Sequence, residues 1–133
     1  MTLDELRTID NNLFMRIPNK FLFGFAFHLI RSITRFAKEM DQVEFIKRTL
    51  ACCKYVRDHI SERLAIDLFD MSKMYIDDFQ LNSQDAVCIY HSFIVHMAEN
   101  KIRVGEYNLA LLMYHQYLNQ LPSFSSIGLS DNW

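Results

Sequence analysis

The sequence predicts an all-α fold: a compact bundle of about six antiparallel helices around a phenylalanine-rich one, the last four pairing as two hairpins. Three observations predict it. Half of the 133 residues are apolar, and they recur at helical spacing along most of the chain. Only three residues are Gly and two Pro, which leaves little material for long loops. The third is the stretch from Phe21 to Ile30, continuing through Ile33 and Phe36. On a helix, Phe21, Phe25 and Leu29 point one way while Phe23, Phe27 and Ile30 point nearly the other. Such a helix is apolar around most of its circumference, so it is expected at the centre, wrapped by its neighbours.

A strand is the competing reading of that stretch, because Phe21, Phe23, Phe25 and Phe27 alternate. The alternation fails at Leu29-Ile30 and Ile33, and the segment runs on to Lys38 without a stop. A membrane span is not expected, because the uncharged run ends at Arg31, short of the roughly 20 residues a span needs. A chain of this length is expected to form one domain. It can bury about two thirds of its unfolded surface without disulfide or metal staples.

Thr2 and Glu5 make a capping-box pattern, followed by Leu3, Leu6, Ile9 and Leu13 at helical spacing. They predict a first helix over 3–15, ended by Ile17-Pro18-Asn19. The second, phenylalanine-rich helix runs over 20–39. Asp41 and Glu44 form another capping box, and Val43, Ile46, Leu50 and Cys53 supply the apolar row of the third. A break is expected near Asp58–Ser61, with Ser61 as N-cap; one long bent helix is the alternative. The fourth helix would bury Ile60, Leu64, Leu68, Met71, Tyr75 and Phe79 and expose Glu62, Asp67, Asp70 and Asp77. Asn82 or Ser83 caps the fifth, over 84–102, with Ile89, Tyr90, Phe93, Ile94 and Met97 buried. Gly105 permits a tight reversal into a sixth helix over 106–121, stopped at Pro122. The domain is thus 1–122. Residues 123–133 read as a mobile tail, unless Phe124 or Trp133 docks.

Gly105, Tyr107, Ala110, Tyr114 and Pro122 fall at the intervals at which a tetratricopeptide repeat places a small residue, an aromatic, an alanine, another aromatic and a closing proline. Residues 91–122 therefore resemble one such repeat, with Ala98 at its usual small position in the preceding helix. Tyr117 stands where a small residue is usual and Lys101 where an aromatic is. The resemblance implies helical-repeat-like hairpins that bind other proteins along a concave surface.

The net charge of −2 gives no prior for nucleic acid or an anionic membrane. Within the chain, residues 21–60 carry seven Lys/Arg against four Asp/Glu, and residues 61–89 carry two against six. Neighbouring helices with complementary faces are the expected cause. An electrostatically steered partner site is the other. Cys52, Cys53 and Cys88 are odd in number and form no disulfide framework. Together with an N-terminus lacking an apolar leader core, they indicate reduced thiols and an intracellular setting, cytoplasmic or nuclear.

Cys88, His91, His96 and Glu99 share one helix and are the metal candidates. Cys88 and Glu99 point the same way, but about 16 Å of axial rise separates them. Each remaining pair supplies two ligands where zinc takes three or four, so a solvated face is expected and no metal. Cys52 and His59 share a face, but about 10 Å of rise lies between them, and Cys53 sits on an apolar row. No phosphate loop, dinucleotide fingerprint or hydrolase motif occurs. No catalytic residue, cofactor or enzymatic activity is expected.

His28, Arg31, Arg35 and Lys38 make one basic strip on the phenylalanine-rich helix. Its simplest reading is that helix's solvent edge, pairing with the acidic fourth helix. It could instead receive an acidic partner peptide, with Gly24 allowing close approach. The function expected is a non-enzymatic protein–protein interaction module: an adaptor, assembly subunit or regulator, with self-association open. The alternative is a nucleic-acid-binding module using the same strip.

Overall fold

The structure is a computed structural model, which describes residues 2–9, 11–78 and 80–120; of residues 11, 12 and 120 it describes the backbone alone. It is all-α. Seven helices follow in order among the described residues: α1 (Leu3–Arg7), α2 (Asn11–Arg16), α3 (Asn19–Arg35), α4 (Gln42–His59), α5 (Glu62–Asp77), α6 (Gln84–Arg103) and α7 (Tyr107–Gln120).

Local chemistry sets most of the boundaries. Thr2, Asp41, Ser61 and Ser83 each have extended backbone and accept a hydrogen bond from an amide of the following turn, satisfying donors a helix start leaves open. Ser61 settles the choice between one bent helix and two: the Ile60 and Ser61 amides both donate to the Val56 carbonyl, and α5 starts afresh. The α6–α7 turn is a Schellman closure. Glu106 N donates to Lys101 O and Gly105 N to Ile102 O, and Gly105 takes φ +87°, which costs a residue without Cβ little.

The first expected helix, 3–15, is two helices. Thr8 ends α1: its hydroxyl donates to the Glu5 carbonyl at 2.6 Å, and the Thr8 and Ile9 amides reach back only three residues. This local side-chain bond competes with continuation of the helix. The phenylalanine-rich helix ends at Arg35 instead of residue 39, and the chain continues through Glu39 in three-residue turns. Phe79, Pro122 and the tail from residue 123 lie outside the described residues.

The helix at the centre is α4. It packs against α3, α5 and α6 and buries Phe45, Ile46, Thr49, Leu50, Cys52, Cys53, Tyr55 and Val56, residues that cover well over half its circumference. The expected central position of the phenylalanine-rich helix is therefore corrected. α3 lies to one side and buries a single stripe of Leu22, Ala26, Leu29, Ile30 and Ile33. Phe21 and Phe27 are 58% and 38% exposed, and Phe23 and Phe25 only line the edge of the core.

α5 corrects a second expectation. Its buried stripe is Ala65, Leu68, Phe69, Ser72 and Ile76, while Leu64 is exposed and Met71 and Tyr75 are half-buried. Small Ala65 and Ser72 let α5 approach α4, and the Ser72 hydroxyl, which bonds the Leu68 carbonyl at 2.6 Å, is satisfied within its own helix. In α6, Tyr90, Phe93, Ile94 and Met97 are buried as expected, with Ile89 half-buried. Phe69 and Phe93 meet edge to face, 5.5 Å between centroids, joining α5 to α6.

A candidate partner-binding surface on α3

α3 contains no Asp or Glu, so its cations have no acid within their own helix to pair with. Its buried stripe, set by contact with α4, turns the opposite side to solvent. Phe21, Gly24, Phe27, His28, Arg31 and Arg35 are all exposed there, and Lys38 follows in the turn beyond. Among the described residues, none of His28, Arg31, Arg35 and Lys38 has an ion-pair or hydrogen-bond partner. The pairing of this strip with the acidic fourth helix, α5 here, is not formed.

Glu62, Asp70 and Glu106 of the second half are matched elsewhere. Lys101 contacts Asp70 at 3.1 Å and Arg103 contacts Glu62 at 3.4 Å, both joining α5 to α6, and Arg63 reaches Glu106 at 2.9 Å. Arg7 and Arg48 both hold Glu44 at 2.9 Å. Glu62 and Asp70 of α5 are thus met by cations of α6 and not by those of residues 21–60, and α3 is left over.

A helix C-terminus attracts cations, but the effect fades beyond the last turn. That accounts for Arg35 and not for Arg31, which lies one turn earlier. The apolar part of the surface is exposed as well. Phe27 meets Phe23 at a tilt, with 6.4 Å between centroids, and the Lys20 ammonium sits 5.0 Å above the Phe21 ring. Gly24 lies between them, with nothing within 4 Å of where a Cβ would stand. The face therefore grades from aromatic at its N-terminal end to cationic at its C-terminal end, with a side-chain gap in its aromatic half.

The other candidates are not brought together. His91 Nδ1 shares a hydrogen bond with the Tyr117 hydroxyl at 3.0 Å, and His96 Nδ1 lies 3.0 Å from Arg57 Nη1, the donor. Both imidazoles are half-buried at contacts with neighbouring helices, which corrects the solvated face expected of them; Cys88 and Glu99 are exposed. Burial lowers the pKa of both histidines, and for His96 the Lys54 and Arg57 charges add to it. Neutral His96 can then accept from Arg57. Among the described residues no group of three or more His, Cys, Asp or Glu could hold a metal ion.

Cys52 and Cys53 are buried in the α4 core, and burial pushes both thiols up, Cys53 to about 12. Neither offers a thiolate. Arg57, with its buried side chain, bridges His96 and Asp58, an interhelical tie that sequence periodicity has no means of signalling. A depression of about 360 Å³ beside it is lined by Met15, Ala51, Lys54, Tyr55, Asp58 and His59, of mixed charge, with Asp58 already held by Arg57. No described helix is long and apolar enough to cross a membrane.

No family model, no curated protein and no solved structure matches the chain.

Proposed function

We propose that this chain is a non-enzymatic protein-binding module whose outer α3 face takes an acidic, partly apolar segment of another protein. The observation that carries the reading is the contrast in charge matching. The cations of α5 and α6 are drawn into ion pairs, while those on one face of α3 stand unmatched beside two exposed phenylalanines. Aromatic groups and arginines are enriched where proteins dock, and free cations on a slightly acidic chain favour an acidic partner. Gly24 suits close approach by a helix or strand. The three free thiols support a reducing, intracellular setting, in which the module would serve as an adaptor, assembly subunit or regulator.

The α4–α5 and α6–α7 hairpins support a helical-repeat reading as well. α6 lies against both helices of the preceding hairpin, as stacked repeats do. Ala98 and Ala110 are buried at the small positions of the tetratricopeptide pattern, while Lys101, at an aromatic position, is buried and paired with Asp70.

Affinity purification from the native source tests the function. The wild-type chain is expected to recover a discrete protein whose retention falls with salt. The double variant Arg31→Glu, Arg35→Glu should lose it, with helicity unchanged. Retention on heparin or RNA that the same variant abolishes, with no protein partner, would favour the nucleic-acid alternative instead.

A further inference from the structure

α7 reads Tyr-Asn-Leu-Ala-Leu-Leu-Met-Tyr-His-Gln-Tyr-Leu-Asn-Gln and contains no Asp, Glu, Lys or Arg. It turns Ala110, Met113 and Tyr117 into the bundle. Beside that stripe runs a second one: Tyr107, Leu111, Tyr114 and Leu118, spaced four, three and four residues apart. This is the alternation of an a/d seam. It faces outward, with Tyr107 64%, Leu111 61% and Leu118 46% exposed. On the side opposite the buried stripe α7 exposes Asn108, His115 and Asn119, so the apolar seam runs between the bundle contact and a polar side.

We infer that this seam pairs with the same seam of a second copy of the chain, the two α7 helices running antiparallel about a two-fold axis. The order of the side chains carries the choice of occupant. A dyad between Leu112 and Met113 sets Tyr107 opposite the second copy's Leu118, and Leu111 opposite the second copy's Tyr114. Every layer then matches one large ring with one leucine, so the stripe is complementary to itself as an isologous interface requires. No like charges oppose each other across it, and antiparallel helix dipoles attract. Tyr114 is already oriented by ring contacts with His91 and Tyr117, which lowers the ordering cost of docking. α7 offers no Asp, Glu, Lys or Arg with which an acidic or basic partner could form an ion pair. The inference does not depend on the α3 surface. Two helices of this length bury less than the roughly 1,600 Å² of a standard interface, so a micromolar dimer is expected.

Sedimentation equilibrium of the full chain tests it. The wild type is expected to pass from monomer to dimer through the micromolar range, and Leu111→Lys with Leu118→Lys to remain monomeric with unchanged helicity. Leu109→Lys with Leu112→Lys, on the far flank of the buried stripe, should leave the dimer intact. Register is read by cross-linking: a mixture of Leu111→Cys and Tyr114→Cys chains, each in a Cys88→Ser background, should form the mixed disulfide in preference to either like pair. A wild type that stays monomeric up to about 1 mM, a dimer indifferent to the Leu111/Leu118 change, or like-pair disulfides in excess would each overturn the inference.

Discussion

Cys52 and Cys53 are adjacent in sequence, and α4 buries both because it is packed on more than one side. The Cys53 sulfur lies 3.6 Å from the Ser72 hydroxyl, and burial holds both thiols protonated at neutral pH. Cys88, at the start of α6, is exposed. Thiol reagents at pH 8 should therefore label Cys88 within minutes and the α4 pair only on unfolding; mass spectrometry of the partially labelled protein checks the order. Glu44 behaves in the opposite sense. Its hydrogen bond from Arg7 is the main cause lowering its pKa to about 2, with Arg48 adding to it. A carboxylate with a depressed folded pKa contributes stability above its unfolded value of about 4.3 and loses it as pH falls through the folded one. The stability difference between wild type and Glu44→Gln, followed by urea melts, should be constant above about pH 5 and shrink between about pH 4 and pH 2.

At the level of elements, four starts were legible from single residues: Thr2, Asp41, Ser61 and Ser83 cap as their types and spacing indicate. Gly105 likewise made its reversal legible. What the sequence concealed is which face of α3 is buried. Phe21, Phe23, Phe25 and Phe27 suggested burial all round, yet Leu22, Ala26, Leu29, Ile30 and Ile33 form the i, i+4, i+7, i+8, i+11 stripe, and the rings flank it. Phe93→Ala, in the α5–α6 core, should cost about 3–5 kcal/mol. Phe21→Ala should cost less than about 0.5 kcal/mol, a contrast that thermal and urea unfolding measure directly. Gly24 sits mid-helix with open space around it. Gly24→Ala should accordingly stabilise the fold by about 0.5–1 kcal/mol, while Gly24→Leu fills the gap in the aromatic end of α3 and should weaken partner binding without destabilising the fold.

Over the whole molecule, burial and charge point the same way. α4 is the helix the others share, so α3 and α7 are left at the margins, each with one side committed to the bundle and the other turned outward. Ion pairs join Glu62 and Asp70 of α5 to Arg103 and Lys101 of α6, a pairing that composition could suggest only as complementary neighbours, without saying which neighbours. The basic strip was legible as four residues at helical spacing. Its freedom from partners was not, because that depends on where α5 turns its acids. Nor were the ties from Arg57 to His96 and from His91 to Tyr117, whose members lie 39 and 26 residues apart. In the proposed function, α3's outward face is where another protein docks. Site-specific photo-crosslinking in the native source tests it most directly, with a benzophenone side chain at Phe27 and, as control, at Met74, which is more exposed but lies on α5. A discrete protein adduct is expected from position 27, absent from position 74 and abolished by Arg31→Glu with Arg35→Glu. Equal adducts from both positions, or adducts from position 27 made only to nucleic acid, would contradict it.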